Sequence, residues 1–215
     1  HSLLAAACLV ALAACAPAPD TNAPGGQATV STGQHEAEID ALFSEQAQPG
    51  SPGAAVGVYQ HGKLVFGMAY GLADVEAGTP ITPRTRFHVA SVSKQFTAFA
   101  VALLAREGKL DLDADVRTYL PYVPNLGRKI TVRHLILHTS GLRDQWALFE
   151  MGGHTLDDRL AQGQIINMAS HQRALNFEPG TQHSYCNTGY ALLAEIVHAV
   201  SGQTRHRRYH AAVDG

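Results

Sequence analysis

The sequence predicts an α/β fold of the α+β type, and three observations predict it. Two β-rich runs, AAVGVYQ and KLVFGMAYG, stand on either side of His61-Gly62 and read as a hairpin. An apolar segment from about Ser91 to Arg106 has the length of a buried helix and stops at Gly108. A further helical pattern runs from Thr188 to Val200 and closes on Ser201-Gly202.

The remaining elements follow in chain order. His35 to Gln46 reads as a helix because Ile39, Leu42 and Phe43 form an apolar stripe at helical spacing. After the hairpin, TPITPRTR is a Pro-rich connection into the helix at Ser91. LDADVRTYL suggests a short helix, and TVRHLILH another, with Thr131 as N-cap and Gly141 beyond its end. Leu142 to Ala174 mixes helix and loop, and FEPGTQHSYC is a loop around a Pro-Gly turn. No internal repeat is visible.

Composition narrows the function classes. The chain has 215 residues, room for one domain or two small ones, with 46% hydrophobic and 16% charged residues. A formal net charge of −2 gives no global reason to expect nucleic acid as a partner. The segment RHRRYH, residues 205–210, reads as a solvated basic tail. His134 and His138 stand four apart, but without an HExxH motif or a Cys cluster, so they read as surface or helix-end histidines and no metal is expected.

The N-terminus suggests export. Leu3 to Ala14 has the length of a signal-peptide apolar core and is too short to span a bilayer. It ends in Leu12-Ala13-Ala14-Cys15, which resembles the bacterial lipobox, so Cys15 is the expected lipidation site and residues 1–15 the signal segment. Residues 16–34 are rich in Pro, Gly and Thr and read as a flexible tether. A chain so processed is exported and held by its lipid in the cell envelope, at the outer membrane in a Gram-negative host. Of three cysteines, only Cys186 is then left with a free side chain, so no intramolecular disulfide is expected.

One position stands out chemically. Between Phe87 and Ala105 the only Lys, Arg, Asp or Glu is Lys94, three residues after Ser91. Positions i and i+3 lie on one side of a helix, so the amine can reach the hydroxyl. Val92, Phe96, Phe99 and Leu103 mark one apolar face, with Ala98, Val101 and Leu104 covering most of the rest, which predicts a helix buried all round. A desolvated amine is a competent base for a serine hydroxyl, whereas a lysine in a first helical turn can also simply snorkel to water. A second group, Tyr185-Cys186-Asn187, sits between a Pro-Gly turn and a helix start, where side chains can face a cleft.

FHVASVSKQFTA, LILHTSGL and EPGTQHSYCNTGYALLAEIVHAVSG together resemble the serine β-lactamase-like, penicillin-binding superfamily, nearest its class C, esterase and D-amino-acid-peptidase branch. The resemblance runs from about Glu36 to Thr204. It implies a β-lactamase/transpeptidase-like fold: an antiparallel sheet flanked by helices plus a mainly helical region, of which residues 35–204 would be the N-terminal portion. It implies Ser91 as acylated nucleophile, Lys94 as its proton partner and Tyr185 as general acid/base. Asn187 would hydrogen-bond the substrate and help hold Lys94. Cys186, at a position commonly serine, reads as a small packing residue, and HTSGL as a structural landmark.

The implied activity is acyl transfer to water through an acyl-serine, with no cofactor. The substrate would be a small molecule or peptide: an ester, a D-amino-acid peptide or amide, or a β-lactam. The family's third motif, K-T-G or H-x-G, is not found after Asn187, and residues 205–215 do not resemble the family's continuation. The expectation is a C-terminal truncation, with a frameshift near Arg205 as its origin. Such a chain would lack sheet strands and one oxyanion donor, whose loss alone costs about 10²–10³ in rate. Two other readings stand beside the hydrolase: a covalent penicillin-binding sensor without turnover, and a catalytically dead tethered lipoprotein.

Overall fold

The computed structural model describes residues 35–155 and 157–202. Cys15, the tether and the basic tail lie outside the described residues. The chain divides into two compact units, one ending at His88 and one beginning at Val89.

The first unit opens with α1 (Glu36–Leu42), shorter than the helix expected to Gln46. Phe43 leaves helical geometry at φ −107°, ψ 17°, and its ring stacks on Tyr70 with centroids 5.1 Å apart. The expected apolar stripe is correspondingly incomplete, with Leu42 79% exposed. Tyr70 also donates to Asp40 Oδ1 at 2.7 Å. Burial first, and the Asp40 carboxylate second, push its phenol up to about 12.

The hairpin forms where the two β-rich runs and the His61-Gly62 turn predict it. Strands β1 (Ala54–Gln60) and β2 (Lys63–Tyr70) pair antiparallel from Ala54↔Tyr70 to Gln60↔Lys63, with one register step between Val58 and Tyr59. His61 and Gly62 both take positive φ, 50° and 75°, as a two-residue hairpin loop of primed type requires. A second short pair, β3 (Leu72–Asp74) with β4 (Thr79–Pro80), replaces part of the connection expected there. Strands of three and two residues are too short to show alternation in the sequence.

The second unit is helical. Its entry is a 3₁₀ turn over Ala90–Ser93, followed by α2 (Lys94–Arg106), where one continuous helix from Ser91 was expected. The expectation of burial all round holds only in part for the body of α2: Thr97, Ala100, Val101, Leu103 and Leu104 are buried, whereas Phe96, Ala98 and Phe99 are half-buried and Ala102 is exposed. It fails at the entry, where Val92 is 58% exposed, because this turn lies at the surface. The segment LDADVRTYL forms only a 3₁₀ turn at Val116–Thr118, capped by Asp115 through the Arg117 N–H.

Helix α3 (Val132–Ile136) begins at Thr131 as expected. Thr131 Oγ1 accepts from the His134 N–H at 3.1 Å, and His134 Nδ1 accepts from the Thr131 N–H at 3.3 Å. This reciprocal pair satisfies two donors at the helix start. Gly141, beyond the helix end, takes φ 72°. A Cβ there would lie 2.2 Å from the Phe177 carbonyl oxygen, so the backbones of HTSGL and the FEPG loop can approach only through a glycine.

The ambiguous stretch resolves into α4 (Gln145–Met151) and α5 (Gln162–Ser170). The last helix, α6 (Asn187–Ser201), ends at Gly202 in the left-handed region, φ 66°. Leu192, Leu193, Ile196 and Val197 of α6 are fully buried at helical spacing. They form the centre of the core, against which α2, α3 and α5 pack.

Candidate active site

Four side chains singled out from the sequence meet in the second unit. Ser91 lies in the 3₁₀ turn, and Lys94 is the first residue of α2. The ammonium Nζ donates to Ser91 Oγ at 3.1 Å and to Asn187 Oδ1, at the start of α6, at 2.8 Å. Tyr185 OH donates to Ser91 Oγ at 2.6 Å. The serine oxygen is therefore an acceptor shared by an amine and a phenol, two groups that can exchange protons with it. Lys94 Nζ also stands 4.7 Å from the Tyr185 ring centroid and 5.5 Å from that of Tyr190, so the cation lies against aromatic π-systems.

The environment acts on the phenol in two directions. Burial pushes the Tyr185 pKa up, but the neighbouring Lys94 cation and the hydrogen bond to Ser91 outweigh it and leave the group below its ordinary value. The shift makes the phenol a readier proton donor. Ser91 and Tyr185 are both solvent-exposed, so a substrate can reach the oxygen they share.

Cys186 points the other way. It is 3% exposed, its Sγ donates to the Leu142 carbonyl at 3.4 Å, and burial raises its thiol pKa. A buried thiol of this kind is a poor source of thiolate.

Two residues at this site were not given a site role from sequence. His138, read as a surface or helix-end histidine and as the start of the structural landmark HTSGL, has φ 58° and accepts the Cys186 N–H at Nδ1, 3.0 Å away. Its carbonyl accepts the Ser184 N–H at 2.9 Å, and its ring lies 4.5 Å from that of Tyr185. His138 thus cradles the Ser184–Cys186 loop from backbone and ring together. Asp144 is the second. Its Oδ1 accepts the Trp146 N–H at 2.9 Å and caps α4. Its Oδ2 accepts the Asn187 backbone N–H and, at 3.0 Å, the Asn187 Nδ2. An acidic residue just before the apolar run WALF was a legible N-cap signal. Its reach to Asn187, 43 positions away, was not.

The chain has known relatives. The sequence matches the Beta-lactamase family over residues 39–209. The D-aminopeptidase of Brucella canis is 36% identical over 153 residues, covering 71% of this chain and 29% of that protein. The octameric penicillin-binding protein homologue from Pyrococcus abyssi is 30% identical, with a TM-score of 0.66 over 85% of this chain and 41% of that one. The D-amino acid amidase from Ochrobactrum anthropi SV3, solved with L-phenylalanine, is 26% identical, with a TM-score of 0.64 over 80% of this chain and 47% of that one. The chain spans less than half the length of each of these relatives.

Proposed function

Because the chain belongs to the Beta-lactamase family, we propose that it carries the acylation machinery of a serine hydrolase working through an acyl-serine at Ser91. The observation that carries this reading is Ser91 Oγ held between Lys94 Nζ at 3.1 Å and Tyr185 OH at 2.6 Å. In acylation, Ser91 Oγ bonds to the substrate carbonyl carbon while its proton passes to Lys94 in the neutral amine form. The tetrahedral intermediate then expels an amine or alcohol, which takes a proton from Tyr185, and the proton on Lys94 restores the phenol. Water reverses these steps, releasing the acid and regenerating the serine hydroxyl. Asn187 holds Lys94 on the side of Ser91 and is placed to hydrogen-bond the substrate.

A D-amino-acid amide or peptide is the favoured substrate class. Two of the relatives, an aminopeptidase and an amidase, are named for D-amino acids. Esters and β-lactams follow as competitors for the same serine. The test is labelling with a fluorophosphonate probe, peptide mapping of the adduct, and a panel of D-amino-acid anilides, esters and nitrocefin. Label is expected on Ser91, and Lys94→Ala is expected to slow it about 10²–10⁴-fold. An adduct on Ser93, Ser184 or Cys186 instead would overturn the assignment.

Export and lipid anchoring through Cys15 are proposed on the lipobox pattern. A metabolic fatty-acid probe should tag the chain in a bacterial host, and the tag should vanish in Cys15→Ala. Persistence of the tag in that variant overturns the anchor.

A further inference from the structure

We propose that Asp144 is the positioning residue that orients the Asn187 amide and, through it, holds Lys94 for proton transfer at Ser91. This rests on the serine-hydrolase reading above and adds to it a residue outside the Ser-x-x-Lys and Tyr-x-Asn motifs.

The two oxygens of Asp144 divide two tasks. Oδ1 receives the Trp146 N–H and caps α4. Oδ2 is given to Asn187, accepting both its backbone N–H and its side-chain Nδ2. An ionised carboxylate only accepts hydrogen bonds, whereas a primary amide has a donating end and an accepting end. Asn187 can therefore satisfy Asp144 in one orientation, with Nδ2 toward the carboxylate. That orientation turns Oδ1 to the other side, where it receives Lys94 Nζ at 2.8 Å. Turned over, the amide would set its oxygen against the carboxylate and its NH₂ against the lysine amine, losing two good contacts for two repulsive ones. The result is a relay of fixed polarity, Asp144 to Asn187 to Lys94, ending 3.1 Å from Ser91 Oγ.

Both anchors of this relay are rigid. Asp144 lies between the buried Leu142 and the buried Gln145, and the backbone of Arg143 is clamped. Gln172 Oε1 accepts the Arg143 N–H at 3.0 Å, and Gln172 Nε2 and Thr188 Oγ1 donate to its carbonyl at 3.1 and 2.9 Å. Thr188 is itself the neighbour of Asn187, so the same contacts fix the spacing between carboxylate and amide.

The test separates capping from orienting. Asp144→Asn keeps an oxygen that can cap α4, since Asn caps as well as Asp. With that oxygen on Trp146, however, its NH₂ faces the donors of Asn187, and the preference for one amide orientation is lost. The measurement is the rate at which a fluorophosphonate probe phosphonylates Ser91, with loss of fluoride, in the full gene product, resolved into maximal rate and half-saturation, with thermal unfolding run alongside. Asp144→Asn is expected to melt close to the unsubstituted protein yet be labelled about 10- to 100-fold more slowly at saturation, as a misplaced proton acceptor causes. In an Asn187→Ala background the same substitution should add almost nothing, because residues acting through one another are non-additive. Labelling of Asp144→Asn at the unsubstituted rate overturns the inference, and so does an equal loss in both backgrounds. Absence of label on Ser91 in the unsubstituted protein overturns the hydrolase reading itself, a result distinguishable from either.

Discussion

The unit ending at His88 and the unit beginning at Val89 both expose some large apolar side chains, but they enclose very different shares of the rest. Among the described residues the first buries only Phe66, Tyr70 and Ile81, while Leu42, Val58, Tyr59, Leu64, Val75 and Phe87 stand exposed. The second encloses a continuous core around Leu104, Leu135, Leu192, Leu193 and Ile196, each 1% exposed or less. The difference teaches where precision resides. Lys94 and Asn187 are the first residues of α2 and α6, two helices whose bodies are locked into that core, so a 2.8 Å contact across 93 positions can be held. The hairpin instead owes its form to backbone pairing and a two-residue turn, and a two-stranded sheet on its own is marginal in water.

The largest expected effect tests whether the core is what holds the site. Leu193→Ala, at a fully buried position of α6, should cost about 3–5 kcal/mol through lost burial and the cavity left behind. That is a large part of the stability of an ordinary domain. Urea unfolding measures the loss, and fluorophosphonate labelling of Ser91 should fall with it at moderate denaturant. Labelling that outlasts the unfolding of α6 would break the link between core and site.

That division also explains what was legible in the sequence. Ser91 and Lys94 could be paired because their relation is local, three positions within one turn. The hairpin could be read because His61-Gly62 separates two runs of β-formers. Thr131 and Gly202 could be read because caps and left-handed stops have local signatures. What escaped was either too short or too distant. A 3₁₀ turn at Ser91 differs from a helical start only in its hydrogen bonding, and the β3–β4 pair has too few residues to alternate. The Asp144–Asn187 contact joins the ends of two helices far apart in sequence, and no local pattern announces it. His138 was visible as a helix-end residue and as part of HTSGL, but its place beneath Tyr185 depends on the return of the chain 47 residues later and the ring contact at 4.5 Å.

A smaller effect should appear with pH, again in the second unit. Burial foremost, then the His183 and Lys94 charges, hold His138 below the ordinary histidine range, with Asp144 pulling the other way. The unfolded chain takes up this proton near its usual value of about 6.5, the folded chain only at lower pH. Between the two the unfolded state binds more protons, so stability rises with pH through that window. His138 thus contributes nothing adverse above about pH 6.5 and destabilises progressively as pH falls below it. His134, also lowered chiefly by burial, acts in the same sense. Protonation of His138 also removes the lone pair that accepts the Cys186 N–H. His138→Asn should flatten the dependence of melting temperature on pH in the acid range, and an unchanged slope would assign the acid sensitivity elsewhere.

The smallest effect is expected at the hairpin. Val58 of β1 pairs with Phe66 and is 39% exposed. Val58→Thr exchanges one β-branched side chain for another, so strand preference is kept, and the new hydroxyl can reach water. Without a core contact to lose, the change in unfolding free energy should stay within about 0.5 kcal/mol. Its measurement is the urea midpoint at constant slope, because a changed slope would report altered compactness instead. A loss above about 1.5 kcal/mol would mean that the new hydroxyl is buried without a partner. The exposed face of β1 would then be covered in solution, and the contrast between the two units would be one of which surfaces are joined rather than of how each is built.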